Sequence, residues 1–442
     1  METEQKTLTM AQKEAMGLLS IGTFLEYFDL MLFIHMAILL NDLFFPKTDP
    51  HTATVISAFA FCSTYLLRPF GALIFGWIGD NIGRKATVII TTSLMSTSCV
   101  IMANLPTYEQ VGITAAWLVT ICRIVQGMSS MGEIIGAELY LTELIKPPIQ
   151  YPIVGLMVCS NNLGTICALG VATLVTSYGL NWRLAFWIGA GIALIGMVAR
   201  TTLRETPDFA DAKRKLKKNL EDLSTVPTKI ISENIITNEK VNKKTSLALF
   251  CSHCAYPTGF YFVYMHCADI LKNKFHCTAE EIIHQNLIVG LVQLLSVSLM
   301  AYLSYRIYPL IILKVKLVIF SCLILFFPYL LSNAQTPKDI FLIQSLVWLF
   351  LPWTHPAGAI FYKHFPVFKR FTYTSFMYAL SRALVYALTS FGLISLTYYF
   401  GNYAILIMML FILAGFTFGI LHFEKLEKEV GNYRPSLDPL KS

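Results

Sequence analysis

Runs of apolar residues about twenty long recur from one end of this 442-residue chain to the other. Each is long enough to cross a hydrocarbon core of about 30 Å as an α-helix. Lipid offers no hydrogen-bond partners to a backbone, so only helices or closed barrels can span it. The strand-length alternation of a barrel is absent from the sequence. The chain is therefore expected to be an all-α polytopic membrane protein. Composition agrees: 55% of residues are hydrophobic and 14% charged, against about 25% charged in a soluble domain.

About twelve transmembrane helices are expected, near 16–40, 53–78, 86–104, 112–141, 151–176, 183–203, 246–271, 282–304, 308–331, 339–361, 371–396 and 401–422. Pro328, Pro352 and Pro356 interrupt the ninth and tenth. The polar start, Met1 to Ala15, precedes an apolar run with no small-residue cleavage pattern, so a retained first span is expected rather than a signal peptide. Lys and Arg gather on alternate loops, at Arg84 and Lys85, Lys146, Lys213 to Lys218, Arg306 to Lys316, and Lys363 to Arg370. That side is expected to be cytoplasmic, with both termini inside. The net charge of +7 thus reads as loop topology, not as a nucleic-acid surface. The one long polar stretch, 204–245, divides the chain into an N-terminal six-helix lobe (1–203) and a C-terminal one (246–442). Such a plan suggests a transporter with its site near the midplane between the lobes.

The ten cysteines form no framework, and no metal site is expected of them. No motif for hydrolysis or nucleotide binding is visible, so no enzyme, catalytic residue or cofactor is expected. The unusual residues are charges inside lipid-length runs. Glu26 and Asp29 stand three apart in "GTFLEYFDL", on one face of a helix. A charge at mid-span costs about 2.5–3.5 kcal/mol on the translocon-insertion scale and needs a partner. Arg123, about 15 Å into the fourth span, matches the depth of Asp29, about 20 Å into the first. Arg68 lies in the second span and Arg382 in the eleventh. Span seven carries Tyr256, Tyr261, Tyr264 and His266, and such rings suit either a cationic ligand or the membrane interface. Glu133, Glu138 and Glu143 lie toward the basic end of span four, where a gate is a better expectation than a binding site.

"GDNIGRK" after span two and "RIVQG…GE…E" in span four, on a six-plus-six plan, resemble the major facilitator superfamily. "GTFLEYFDL", "LLRPFGALIFGWIGD" and "RETPDF" resemble more narrowly its metabolite:proton symporters, proline/betaine transporters among them. The match runs from about Gly22 to Phe209 and continues more weakly through "TGFYFVYMHCADIL" and "KHFPVFKRFTYTSF". The sequence departs from that pattern in places. Tyr305 in "LSYRIYPLIILK" stands where the second loop motif has an acid, and Met131 stands for a glycine. No heptad tail follows Lys428.

The resemblance implies a secondary active transporter working by alternating access, driven by the proton gradient alone. The implied substrate is a small zwitterionic or carboxylate metabolite, proline or glycine betaine first. The alternatives are a dicarboxylate or other organic-acid symporter and a transporter-like solute sensor. It implies a bacterial inner-membrane protein that works as a monomer, with substrate, protons and lipid as its partners. On the same footing Asp29, Glu26 and Arg123 are the expected proton-coupling group. Arg68, Arg382, Tyr256, Tyr261, Tyr264 and His266 are the expected substrate contacts. Gly79, Asp80, Gly83, Arg84 and Glu133 are the expected cytoplasmic gate. Asp80 should approach the N-terminus of span eleven near Phe371 to Thr374, where the helix dipole favours an anion.

Overall fold

The computed structural model describes residues 5–36, 40, 43–45, 64–221 and 240–433. The start of the expected second span (53–63) and most of the linker (222–239) lie outside them. The described chain is built from helices. They are labelled α1 (Met10–His35), α2 (Arg68–Asn81), α3 (Arg84–Asn104), α4 (Ile113–Leu144), α5 (Gln150–Ser177) and α6 (Arg183–Arg200) in the first half. A linker helix, Pro207–Glu221, follows. In the second half, α7 runs as Lys243–His253 and Ala255–Tyr261, a π-turn at Phe262–His266, then Cys267–Phe275. Then come α8 (Ala279–Arg306), α9 (Pro309–Ile324 and Phe327–Asn333), α10 (Pro337–Phe350 and Gly358–Lys363), α11 (Val367–Ala387, a π-turn, then Leu393–Phe400) and α12 (Tyr403–Val430).

Six described helices are each long and apolar enough to cross a membrane, seven if the bent pair in α9 is one span. Of the sequence-expected spans that fall short, α6 is a shorter unbroken helix and α2 is described only from Arg68, while α7, α9, α10 and α11 are interrupted. Pro328 opens the second piece of α9, and the two pieces meet at 47°. Pro352 and Pro356 fall in the gap that splits α10. A proline lacks the N–H that would continue the ladder and clashes with the preceding turn. Helix starts are specified too: Thr278 with Glu281, and Thr336 with Asp339, form capping boxes at α8 and α10.

Within the first half α1 packs on α4, α5 and α6, and α3 on α4 and α6. The two halves meet chiefly through α2 against α11 and α5 against α8. Large apolar side chains such as Trp77, Trp117, Ile195, Leu295 and Phe411 point outward. Charged side chains such as Glu26, Arg68, Arg84 and Arg123 are buried. This polarity is inverted relative to a water-soluble domain, where a buried charge is the exception. Lipid on the outside and polar pairing on the inside account for it.

Candidate transport site

The closed end of the molecule begins at the α2–α3 turn. Gly83 holds a φ of 151° there, a backbone region that side-chain-bearing residues avoid. The turn brings Arg84 into a fully buried position at the start of α3. Its guanidinium reaches Asp80 at 2.9 Å, Glu143 at 3.1 Å and the Val367 carbonyl at 2.7 Å, and it donates to the Gly79 carbonyl. Asp80 in turn accepts the backbone N–H groups of Phe371 (3.0 Å) and Thr372 (2.8 Å). It thus reaches from the opposite half to the fifth and sixth residues of α11, near the helix N-terminus, where the dipole favours a carboxylate. Glyless contact would not fit: a Cβ on Gly76 would lie 2.6 Å from the Thr372 Cα, and one on Gly79 would lie 2.5 Å from the Phe371 ring.

Glu143 completes this cluster by accepting from Arg370 at 3.0 Å and Thr206 at 2.7 Å. The linker helix joins in, with the Phe209 ring 5.0 Å from the Arg84 guanidinium and Asp208 3.6 Å from Arg370. Gly79, Asp80, Gly83 and Arg84 therefore sit together between the halves. Glu133 does not. It pairs with Arg200 and accepts from Thr91 (3.0 Å) and Thr92 (2.6 Å), all in the first half. Its placement at the gate is corrected on that geometry: it lies about 15 Å, ten residues of helical rise, before Glu143 on α4. Its partner Arg200, at the end of α6, reads in sequence as an ordinary loop-flanking cation.

Deeper in, the two acids of α1 each find a different arginine. Glu26 pairs with Arg68 of α2 at 3.0 Å, and Asp29 with Arg123 of α4 at 2.9 Å. Gln126, one turn from Arg123, donates to Asp29 at 3.1 Å and accepts from Arg123 at 2.9 Å. The Phe33 ring lies 4.1 Å from the Arg123 guanidinium and the Tyr65 ring 4.6 Å from that of Arg68. The Nε of each arginine is buried without a bond. Both pairs are desolvated, so each acid needs its cation and each cation its acid.

Two cavities lie between the halves and share Tyr27, Tyr256, Tyr378 and Arg382 in their walls. The larger, about 570 Å³ including its mouth, takes walls from α1, α4 and α5 of one half and from α7, α10 and α11 of the other. The smaller is bounded by Tyr27, Tyr65, Arg68, Tyr256, Arg382 and Tyr386. Arg382 and Tyr256 border both. The Arg382 guanidinium lies 3.4 Å from the Tyr378 ring centre and 5.6 Å from that of Tyr256, and donates to Ser381 at 3.2 Å. No carboxylate lies within ion-pair distance of it among the described residues.

Tyr261, Tyr264 and His266 border neither cavity. Tyr264 donates to Gln293 at 3.0 Å, His266 stacks on Phe262 at 5.7 Å, and Tyr261 packs against the apolar core. Tyr261, five residues past Tyr256, falls on another face by ordinary helical spacing, and Tyr264 and His266 lie within the π-turn at Phe262–His266. The wider turn shifts the residues within it from the positions that plain helical spacing gives. Conversely, Tyr27, Gln126, Glu138, Tyr362, Tyr378 and Tyr386 build the site without having been singled out for it. Glu138 lines the larger cavity rather than the closed end, which corrects its expected place.

A sequence profile described as the Major Facilitator Superfamily matches residues 19–389. The chain is 32% identical over 213 residues to a proline/betaine transporter of Escherichia coli (strain K12), covering 46% of this chain and 42% of that one. It is 27% identical over 281 residues to a citrate-proton symporter of Salmonella typhi, covering 61% and 60%. The chain spans about half the length of the curated relatives it matches. Among solved structures, a proton:xylose symporter bound to a bromodeoxyglucose superposes with a TM-score of 0.70 at 16% identity, over 97% of each chain.

Proposed function

The chain belongs to the Major Facilitator Superfamily, and from that premise we propose that it carries a small zwitterionic metabolite across a membrane together with protons. The observation that carries this reading is the pairing at the core of the first half. Two buried acid–arginine pairs lie side by side in the first half, and Arg68 of one of them borders the smaller of two cavities that both halves line. A carboxylate in such a place takes up a proton when its arginine is drawn away and releases it when the arginine returns. Alternating access would supply that change through contacts that cross between the halves, since both pairs lie within the first. The transporter relatives support the same class of activity.

Arg382 supports a carboxylate on the substrate, because its charge is buried without a carboxylate partner among the described residues. Trp353 supports a cationic group, since a ring face attracts it, whereas the Tyr378 and Tyr256 rings already face the Arg382 guanidinium. A proline- or betaine-like zwitterion carries both. A dicarboxylate would satisfy Arg382 and Arg68 alone, and is the second reading. The basic loops and the bacterial relatives support an inner membrane with the Asp80 end in the cytoplasm, and nothing in the site calls for a second copy. The test is uptake of labelled L-proline, glycine betaine and α-ketoglutarate into proteoliposomes, with and without an imposed proton gradient. The expected result is gradient-driven accumulation of one of the two zwitterions. Accumulation of α-ketoglutarate alone favours the second reading. Binding of a zwitterion with no uptake under any gradient marks a sensor, and uptake indifferent to the gradient refutes proton coupling.

A further inference from the structure

One carboxylate in the larger cavity has no part in the pairs described above. Glu138, on α4, accepts the Tyr362 hydroxyl of α10 at 2.6 Å. It makes no ion pair among the described residues. Its neighbours on the same helix do: Glu133 pairs with Arg200 and Glu143 with Arg84 and Arg370. Across the same cavity stands Arg382, likewise without a carboxylate. A negative and a positive group thus face one cavity from opposite halves and are not joined. Their helices point them at each other. α4 runs toward the closed end and α11 runs away from it, and side chains lean toward their own helix N-terminus. Charges left unpaired inside a protein are costly, and a ligand of complementary charge removes that cost.

We propose that Glu138 and Arg382 are the two poles of a binding site for an amino-acid-type zwitterion. The ligand's ammonium N–H groups donate to Glu138, which Tyr362 holds in place, and its carboxylate accepts from Arg382. This inference rests on the reading that the substrate is a small zwitterion, and it narrows that reading. A protonated primary or secondary amine has N–H groups to give, whereas a quaternary ammonium has none. L-Proline is therefore preferred to glycine betaine. Because Glu138 belongs to one half and Arg382 and Tyr362 to the other, the ligand bridges the halves, as coupling of binding to rocking requires.

The test is calorimetric binding to the purified full chain, with three probes of one shape: L-proline, cyclopentanecarboxylate and pyrrolidinium. The wild type should bind L-proline at least about tenfold more tightly than either single-charge probe, since a hydrogen bond to a charged group contributes about 1.5–3 kcal/mol and 1.4 kcal/mol is tenfold. Glu138→Gln should weaken L-proline and pyrrolidinium by at least about tenfold and leave cyclopentanecarboxylate within about threefold. Arg382→Gln should do the reverse. Tyr362→Phe, a milder change, should weaken L-proline and pyrrolidinium by about threefold to tenfold, and carries the test if the charge variants do not fold. Unchanged L-proline affinity in Glu138→Gln, or an equal loss for all three probes, overturns the proposal. So does a wild type that binds none of them; gradient-driven uptake of another solute would then leave the transport reading standing.

Discussion

Asp80→Asn is the sharpest test of how the two halves are held together. The Asp80 carboxylate accepts two backbone N–H groups of α11 and one N–H of Arg84. An asparagine keeps one oxygen and turns an NH₂ toward one of those donors. One buried N–H of α11 is then unsatisfied, at about 1–3 kcal/mol, and the surviving bond falls from charged to neutral strength. The loss of the anion at the helix N-terminus adds about 0.3–1 kcal/mol. Arg84 keeps Glu143 and the Val367 carbonyl, so its own loss is partial. The sum is about 2–4 kcal/mol, roughly a thirtyfold to several-hundredfold shift toward opening at this end. Hydrogen–deuterium exchange reads this directly, because the two amides concerned are those of Phe371 and Thr372. In Asp80→Asn they should exchange at least about tenfold faster, while amides in the middle of α4 stay unchanged. Exchange within about threefold of the wild type would refute the reasoning. It would mean that the Arg84–Glu143–Arg370 cluster alone keeps the end shut.

Two further predictions follow from the buried pairs. If Asp29 is the proton acceptor of the proposed symport, Asp29→Asn should abolish gradient-driven accumulation of substrate in proteoliposomes while leaving counterflow exchange; surviving accumulation would move the role to Glu26. Glu133→Gln should lower thermal stability through an uncompensated Arg200, by about 3–5 kcal/mol, and leave substrate affinity unchanged; the double variant Glu133→Met with Arg200→Met should regain most of the loss, and a changed affinity in the single variant would return Glu133 to the transport cycle.

The membrane class was legible in the sequence because lipid imposes length and apolarity on every span. The Asp29–Arg123 pair was legible for the same reason. Two opposite charges at equal depth must meet when neither can face lipid. The contact of Asp80 with Phe371 and Thr372 was legible in the anion preference of a helix N-terminus and in the resemblance. What escaped was rotation about helix axes. Tyr261, Tyr264 and His266 were expected at the site as rings of one span, but Tyr261 falls on another face than Tyr256 and the π-turn takes in Tyr264 and His266. Glu133 and Glu138 stand five apart on α4 and diverge, one into the first half and one into the cavity. Depth alone could not separate them, since both lie toward the same end. The cavity tyrosines, Tyr27, Tyr65, Tyr378 and Tyr386, carry no such signal, because a tyrosine in an apolar run is an ordinary residue.

The placement of both ion pairs in the first half has a mechanical consequence. Glu26, Asp29, Arg68 and Arg123 all belong to α1, α2 and α4, so rigid rocking of one half against the other does not separate any acid from its arginine. The signal has to enter through a contact that crosses the halves. Asp29–Arg123 is shut in by Phe33, Gln126 and Cys99, all of the first half. Glu26–Arg68 is not, for Arg68 borders the smaller cavity with Arg382 and Tyr386. Tyr65, under the Arg68 guanidinium, lies 4.4 Å from the Tyr386 ring of α11. A route is thereby laid out from α11 through Tyr386, Tyr65 and Arg68 to Glu26, and from Glu26 along one face of α1 to Asp29. Spatial adjacency alone does not establish coupling, but a double-mutant cycle does. Glu26→Gln and Tyr386→Leu should be non-additive by at least about 0.5 kcal/mol in the ratio of uptake with and without a proton gradient. Additive effects would show that the second half reaches the proton site by another path. The two acids of α1 would then serve separate tasks, with Glu26 confined to holding α2 in place.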